Sequence, residues 1–186
     1  MKLSTHGQFP ILNLTTFTGE KITVPSSGNA FTHIQFRRFA DCPICNLHLR
    51  HFTTQREKLD DAGIHEVIFF HSTTEELKRY QDHLPFDCIA DPNRTYYRRF
   101  DVEPSWRALL SWQALGSALK EVFRSKRWWR EASQGLNGLP ADILLNSSGL
   151  IVAVKYGIHA DDQWSIDDVI HLSQSIEVTQ PSQVHL

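Results

Sequence analysis

Apolar and polar residues alternate over short stretches near the start of the chain, and this alternation predicts β-strands. It runs through residues 10–25 on both sides of Thr18-Gly19-Glu20, so we expect an N-terminal hairpin there. Residues 32–39 predict the next strand, with Ile34 and Phe36 toward the interior. Further short strands are predicted at residues 66–71, 86–90, 142–146 and 150–156.

Between the strands, apolar residues recur at helical spacing. One helix of about five turns is predicted from Pro43 to the Gly63 that ends the run. Thr73 and Glu76 predict a capping box for a second helix, and Ser165 predicts the start of the last helix. A Trp-rich stretch predicts a helical insertion over about residues 104–130.

The order of these elements indicates the fold class. Strands that alternate with helices, followed by a hairpin and a final helix, predict an α/β sandwich around a mixed central sheet with helices on both faces. The 186 residues are enough for one well-buried core and few for two. We therefore expect a single domain over residues 1–186.

Composition narrows the choice of partners and compartment. A formal net charge of -2 with 22% charged residues gives no basic excess, so we expect no nucleic acid partner. The apolar runs are too short to span a bilayer, and the first residues lack an apolar signal segment, so we expect no membrane partner. Three cysteines, two of them in one Cys-x-x-Cys motif, favour a reducing compartment, and we expect a cytoplasmic protein.

The candidate chemistry lies where a strand runs into Cys42-Pro43-Ile44-Cys45 and then into a helix. Unpaired backbone N–H groups and the helix dipole stabilise a thiolate at such a position, which makes Cys42 a candidate nucleophile. The two-residue gap brings both sulfurs within disulfide reach, so Cys42 and Cys45 can cycle between dithiol and disulfide. Pro43 suits the first helical turn, where a missing N–H group costs nothing.

Three charged neighbours are expected to tune this pair in opposite directions. Asp41 is expected to cap the helix, but its charge opposes a thiolate on Cys42. Arg37 and Arg38 favour the thiolate. Because charge interactions at these separations are of comparable size, the sequence leaves the sign of the pKa shift open.

Other motifs accompany the cysteines: Leu139-Pro140 opens a strand, Ser147-Ser148-Gly149 forms a turn, and Tyr156-Gly157 follows. Together they resemble the thioredoxin superfamily and, more narrowly, the peroxiredoxin-like branch of the alkyl hydroperoxide reductase and thiol-specific antioxidant (AhpC/TSA) family. The resemblance covers residues 10–176 and implies a thioredoxin-like three-layer sandwich. In that fold a cis-proline, here Pro140, faces the cysteines. The resemblance therefore gives Leu139, Pro140 and Pro43 a substrate-positioning role.

The resemblance implies a thiol-disulfide oxidoreductase or peroxiredoxin-like antioxidant enzyme. Its substrate is a protein disulfide or a peroxide, and an external thiol restores the dithiol without a cofactor. The chain departs from the peroxidatic motif that would end at Cys45, because Cys42 and Arg38 replace its Thr and Pro. It also departs from thioredoxins, because Asp41 replaces a Trp and Phe36 replaces a carboxylate. Which cysteine attacks first is left open.

The alternative is a non-catalytic protein that holds a metal or a partner. Cys42, Cys45, His48 and His51 have the spacing of a zinc site, but on a helix they cannot all face one ion. A copper site of Cys42, Cys45 and His159 stays open. We favour redox chemistry, and expect no metal, because no second close Cys/His pair exists elsewhere. Cys88 is expected in the core, and the Trp-rich helix either packs on the core or forms a homodimer face.

Overall fold

The computed structural model describes residues 1–102, 139–159 and 161–177. The strands of these residues are β1 (Leu12–Thr15), β2 (Lys21–Val24), β3 (Phe31–Arg37), β4 (Ile64–Phe70), β5 (Asp87–Ala90), β6 (Ala141–Asn146) and β7 (Ile151–Tyr156). The helices are α1 (Pro43–Thr54), α2 (Arg56–Asp61), α3 (Thr74–Tyr80), α4 (Thr95–Arg99) and α5 (Ile166–Glu177).

Five of the strands form one mixed sheet in the order β5-β4-β3-β6-β7. Strand β3 is parallel to β4 and antiparallel to β6. Strand β4 is parallel to β5, and β6 is antiparallel to β7. Strands β1 and β2 form a separate antiparallel hairpin, as the alternation predicted. The mixed central sheet confirms the predicted α/β class.

Both faces of the central sheet are covered. On one face, Ile34 and Phe36 of β3 pack in an apolar cluster with Tyr97 of α4 and with the hairpin. On the other face, α1, α3 and α5 contribute Leu49, Leu77 and Val169 to two further clusters. Strand β3 is buried along its whole length because it lies between these layers.

The helix predicted from Pro43 to Gly63 is interrupted, so that prediction is wrong at one residue. Gln55 has φ -117° and ψ 22°, which separates α1 from α2. Just before the break, the hydroxyl of Thr53 donates to the carbonyl of Leu49, and that of Thr54 donates to the carbonyl of His51. Such side-chain bonds compete with the helical ladder and bend helices, which accounts for the end of α1.

The expectation of a cis peptide bond before Pro140 is also wrong. Among the described residues the cis bond precedes Pro25, and the bond before Pro140 is trans. Trans is the more stable isomer for most X-Pro bonds, and only the resemblance argued otherwise here. The helical insertion over residues 104–130 and the dimer face predicted on it lie outside the described residues. Within the described part of the chain, no helix is long and apolar enough to cross a membrane.

Candidate active site

A tight turn connects β3 to α1 and carries the first cysteine. The N–H of Cys42 donates to the carbonyl of Phe39 at 3.1 Å, which closes the turn. Cys42 itself is the N-cap of α1, with φ -65° and ψ 114°, and Pro43 occupies the first helical turn as predicted. The expectation that Asp41 caps the helix is therefore wrong, because the helix begins one residue too late for its side chain to be the N-cap.

Side chains from other elements bond to both backbone groups of Ala40 in this turn. The N–H of Ala40 donates to the hydroxyl of Ser72 at 3.0 Å. The carbonyl of Ala40 accepts from the side-chain amide of Gln81, at the end of α3. The same amide nitrogen donates to Asn46 Oδ1 at 2.6 Å, so Gln81 joins the turn to the start of α1.

The two cysteines of the motif are reduced and adjacent. Both are free thiols, and a hydrogen bond links their sulfur atoms. Cys42 is 0% exposed and Cys45 is 2% exposed. A large partner therefore cannot reach either sulfur in this conformation.

The surroundings favour ionisation of Cys45. The hydrogen bond from the Cys42 thiol lowers the pKa of Cys45 most, while burial opposes ionisation. The guanidinium charge of Arg38 and its backbone N–H, which donates to the Cys45 sulfur, lower it further, and the charge of Arg37 adds to them. The resulting pKa of Cys45 is about 6.

Cys42 responds in the opposite direction. Burial raises the pKa of Cys42 well above its ordinary value, and the hydrogen bond and charge of Cys45 raise it further. The charge of Arg38 and the backbone N–H of Cys45 oppose this only in part. The pair therefore ionises first at Cys45, with the remaining proton on Cys42.

Beneath α1, a closed ring of buried polar side chains crosses the sheet. His33, Gln35 and Arg37 alternate along β3 on the face toward α1, and all are fully buried. Their partners are Glu66, directly opposite His33 on β4, and Asp142, directly opposite Gln35 on β6. We call His33, Gln35, Arg37, Glu66 and Asp142 the buried ring.

Hydrogen bonds run continuously through four of its junctions. His33 Nδ1 lies 2.7 Å from Glu66 Oε1, and Gln35 Nε2 donates to Glu66 Oε2 at 2.7 Å. Arg37 Nε donates to Gln35 Oε1 at 2.8 Å, and Arg37 Nη2 donates to Asp142 Oδ1 at 2.7 Å. An ion contact of 3.3 Å between His33 Nε2 and Asp142 Oδ1 closes the ring.

The charges of the ring balance when His33 is protonated. Burial by itself would lower the pKa of His33, but the carboxylates of Glu66 and Asp142 outweigh it and raise the pKa to about 9. Burial likewise opposes ionisation of Asp142, yet Arg37 and His33 hold its pKa below the ordinary range. Two cations thus face two anions in a buried site.

His48 connects the ring to the helix that carries the cysteines. It lies three residues after Cys45 on α1, and its Nε2 accepts from Arg37 Nη2 at 3.2 Å. Burial and the charge of Arg37 lower the pKa of His48 to about 2, so the side chain of His48 is a neutral imidazole. The His48 side chain therefore contacts Arg37 of the buried ring.

The other predicted site residues lie as follows. Leu139 and Pro140 precede β6, whose first residue pairs with Phe36 near the end of β3. They therefore lie at the same end of the sheet as the cysteines, which follow β3. Gly157 approaches Pro140 so closely that a Cβ there would lie 2.8 Å from its ring. Cys88 is buried in β5, and burial raises its pKa to about 12. No group of three or more His, Cys, Asp or Glu side chains in the described residues is arranged to hold a metal.

A sequence profile of the AhpC/TSA antioxidant enzyme family matches residues 51–157, more than half of the chain. The chain belongs to the AhpC/TSA antioxidant enzyme family. The match begins after Cys45, so membership rests on the sequence that follows the motif and not on the cysteines. The protein is thus an oxidoreductase of the antioxidant class. No curated protein sequence matches the chain.

Solved structures share the fold of this AhpC/TSA protein at low sequence identity. The peroxidoxin BcpB from Mycobacterium tuberculosis is 12% identical with a TM-score of 0.66, and the alignment covers 92% of this chain and 97% of that one. A cysteine-to-serine mutant of peroxiredoxin 6 from Arenicola marina is 11% identical with a TM-score of 0.71, covering 95% and 74%. A thiol:disulfide interchange protein from Chlorobium tepidum, described as putative DsbE, is 14% identical with a TM-score of 0.59, covering 95% and 98%. These similarities confirm the thioredoxin-like fold.

Proposed function

We propose that the protein is a thiol-dependent peroxidase in which Cys45 attacks the peroxide and Cys42 resolves the product. The observation that carries this proposal is the position of the Cys45 sulfur, which accepts from the Cys42 thiol and from the backbone N–H of Arg38. Because the pKa of Cys45 is about 6, most of this thiol is ionised at neutral pH. Arg38 and Arg37 are the residues that we propose tune it.

The cycle needs only the two cysteines and an external thiol. The Cys45 thiolate attacks one peroxide oxygen and the O–O bond breaks, which leaves sulfenic acid on Cys45 and releases an alcohol or water that takes up a proton. Cys42 then attacks the Cys45 sulfur, the S–O bond breaks, and the oxygen leaves as water with the proton from Cys42. An external thiol reductant supplies two electrons and two protons to restore both thiols.

Burial of the two sulfurs supports a peroxide over a protein disulfide as oxidant. With exposures of 0% and 2%, the cysteines exclude a bulky partner unless the turn opens. We propose hydrogen peroxide or a small alkyl hydroperoxide as substrate. We also propose a cytoplasmic location, because three cysteines, two of them in one Cys-x-x-Cys motif, suit a reducing compartment.

Single cysteine variants test the assignment of roles. Cys42→Ser, treated with peroxide, should accumulate sulfenic acid on Cys45, detected by a dimedone-based probe and peptide mass spectrometry. Cys45→Ser should form none. Sulfenic acid on Cys42 of the Cys45→Ser variant, without any on Cys45 of the other, would reverse the roles.

Exchange with a protein disulfide is the second candidate, and one observation favours it. The backbone N–H of Cys45 donates to the Cys42 sulfur, as expected for an attacking thiol at a helix start. In that case Cys45→Ser would trap a mixed disulfide through Cys42 when given a protein disulfide. If neither variant reacts with peroxide or disulfide, both candidate functions are wrong.

A further inference from the structure

We propose that Gln81 determines which partners reach the cysteine pair, by holding the turn over residues 39–42 closed above the buried sulfurs. In the closed state a small peroxide reaches Cys45, whereas a bulky thiol partner reacts only after the turn is released. The biological meaning rests on the proposed peroxidase function. The closure itself does not, because it concerns access to two sulfur atoms and can be measured without peroxide.

The geometry of the turn assigns this role to one side chain. Gln81 is 1% exposed and reaches two separate parts of the site with one amide nitrogen, the carbonyl of Ala40 and Oδ1 of Asn46. The first contact holds the residue two positions before Cys42, and the second holds the residue that follows Cys45. Gln81 thus bridges the chain on both sides of the motif from a different helix.

Ser72 completes the closure by bonding to the other backbone group of Ala40. Its hydroxyl accepts from the N–H of Ala40, so both backbone groups of Ala40 are bonded to side chains outside the turn. Ser72 follows β4 and Gln81 follows α3, and neither belongs to the helix that the cysteines begin. The turn is therefore held closed by groups outside the helix that carries the cysteines.

Loss of the Gln81 donors weakens the closed state selectively. In the closed turn the buried Ala40 carbonyl and the part-buried Asn46 Oδ1 would then lack this donor, whereas in an open turn water can bond to both. The population of open turns should rise about tenfold, which corresponds to ~1.4 kcal/mol. Small reagents that already react in the closed state gain little from this increase.

Alkylation kinetics with reagents of different size test the proposal. Gln81→Met keeps the approximate length of the side chain and removes both donors. Reduced protein is treated with iodoacetamide or with a maleimide attached to a polyethylene glycol chain, and labelling of Cys42, Cys45 and Cys88 is followed by peptide mass spectrometry. We expect the bulky reagent to label the pair about ten times faster in Gln81→Met, while the iodoacetamide rate changes less than about threefold.

Cys88 serves as an internal control because it is buried on β5, in the same apolar cluster as Ala40 but outside the turn itself. Unchanged labelling of Cys88 shows that the variant opens the turn and not the whole fold. Gln8→Met is the matched control, since Gln8 also donates from its amide to a backbone carbonyl, that of Ser148, at 2.8 Å. It should leave all rates unchanged.

Ser72→Ala provides a second variant if Gln81→Met does not fold. It should likewise raise the rate at which the bulky maleimide labels the cysteine pair. The proposal would be overturned if the ratio of the maleimide labelling rate to the iodoacetamide labelling rate were unchanged in these variants. It would also be overturned if labelling of Cys88 increased as much as labelling of the pair. A changed ratio in a protein that does not consume peroxide would support the closure and reject the peroxidase function. The two failures are thus distinguishable.

Discussion

Nη2 of Arg37 lies 2.7 Å from Oδ1 of Asp142, and both side chains are fully buried. The two residues are 105 positions apart in the chain, and their contact joins the centre of the sheet to the strand that follows Pro140. Because His33 and Glu66 extend this contact into a closed ring with balanced charge, each member is expected to depend on the others.

Removal of one ring charge should destabilise the protein strongly. Asp142→Asn keeps the shape of the side chain but leaves Arg37 and His33 with a single carboxylate, and we expect a loss of about 3 kcal/mol in the free energy of unfolding. Urea unfolding followed by circular dichroism measures it. Lys155→Met, which breaks the partly exposed pair with Asp162, should cost less than about 1 kcal/mol. Equal effects of the two variants would contradict a charge-balanced ring.

Stability should fall as the pH rises above neutral because of His33. Its pKa is about 9 in the folded protein and 6.5 in the unfolded chain, so its contribution is complete below pH 6.5 and is lost as pH rises through 9. The loss is on the order of 3 kcal/mol. The measurement is urea unfolding across this range in the double variant Cys42→Ser/Cys45→Ser.

Two controls isolate this titration. The double cysteine variant is needed because Cys45 has a lowered pKa, so its ionisation raises stability over the same range. The depressed pKa values of His48 and His71 act only below 6.5. His33→Gln in the same background should show no decline between pH 6.5 and 9, and a decline of the same size over that range would reject His33 as its source.

Arg38 should set the reactivity of Cys45. Arg38→Met removes the guanidinium but keeps the backbone N–H, so the pKa of Cys45 should rise from about 6 by about one unit. Thiolate absorbance in the ultraviolet measures it, and Cys88 does not interfere because its pKa is about 12. The exposed Arg98 offers a matched control: Arg98→Met should leave the titration unchanged, and an equal shift would indicate a general charge effect.

Tyr97 should contribute to stability through its hydroxyl. This buried group lies between the backbone carbonyls of Arg37 and Phe69, 2.9 Å from the second, and shares its hydrogen between them. Tyr97→Phe leaves those carbonyls without the donor, and we expect a loss of about 1 to 2 kcal/mol. Thermal and urea unfolding measure it. Tyr96→Phe, in the same helix and half-buried, should change stability by less than half as much.

Local patterns in the sequence predict the local features of the structure. The capping box of α3 is confirmed, because Thr73 and Glu76 exchange both hydrogen bonds. Ser165 and Asp168 likewise exchange bonds at the start of α5. These features depend on residues three positions apart, so the sequence contains all of the information that determines them.

The buried ring and the Gln81 bridge were not predicted, because their partners are far apart in sequence. The bond from Gln81 to Ala40 spans 41 positions, and that from His33 to Glu66 spans 33. A signal was nevertheless present. His33, Gln35 and Arg37 alternate with apolar residues on a strand that helices were expected to cover on both faces, so these polar groups required buried partners.

The sign of the cysteine pKa shifts was left open by the sequence for a similar reason. Charges before the motif were visible, but which sulfur faces the Arg38 backbone N–H depends on where the helix begins. Cys42 and not Asp41 is the N-cap, and the backbone N–H of Arg38 donates to the second cysteine. The role of Cys45 in catalysis stays a prediction until the cysteine variants are measured.

The closed arrangement of ions beneath α1 limits how this region of the protein can be altered. Substitution of one charged residue by an apolar one leaves the charge of its partner buried and unpaired. Simultaneous substitution of Arg37 and Asp142 removes both charges at once. Engineering or divergence at these positions should therefore proceed in pairs. A library that varies the sheet one position at a time would miss the stable combinations.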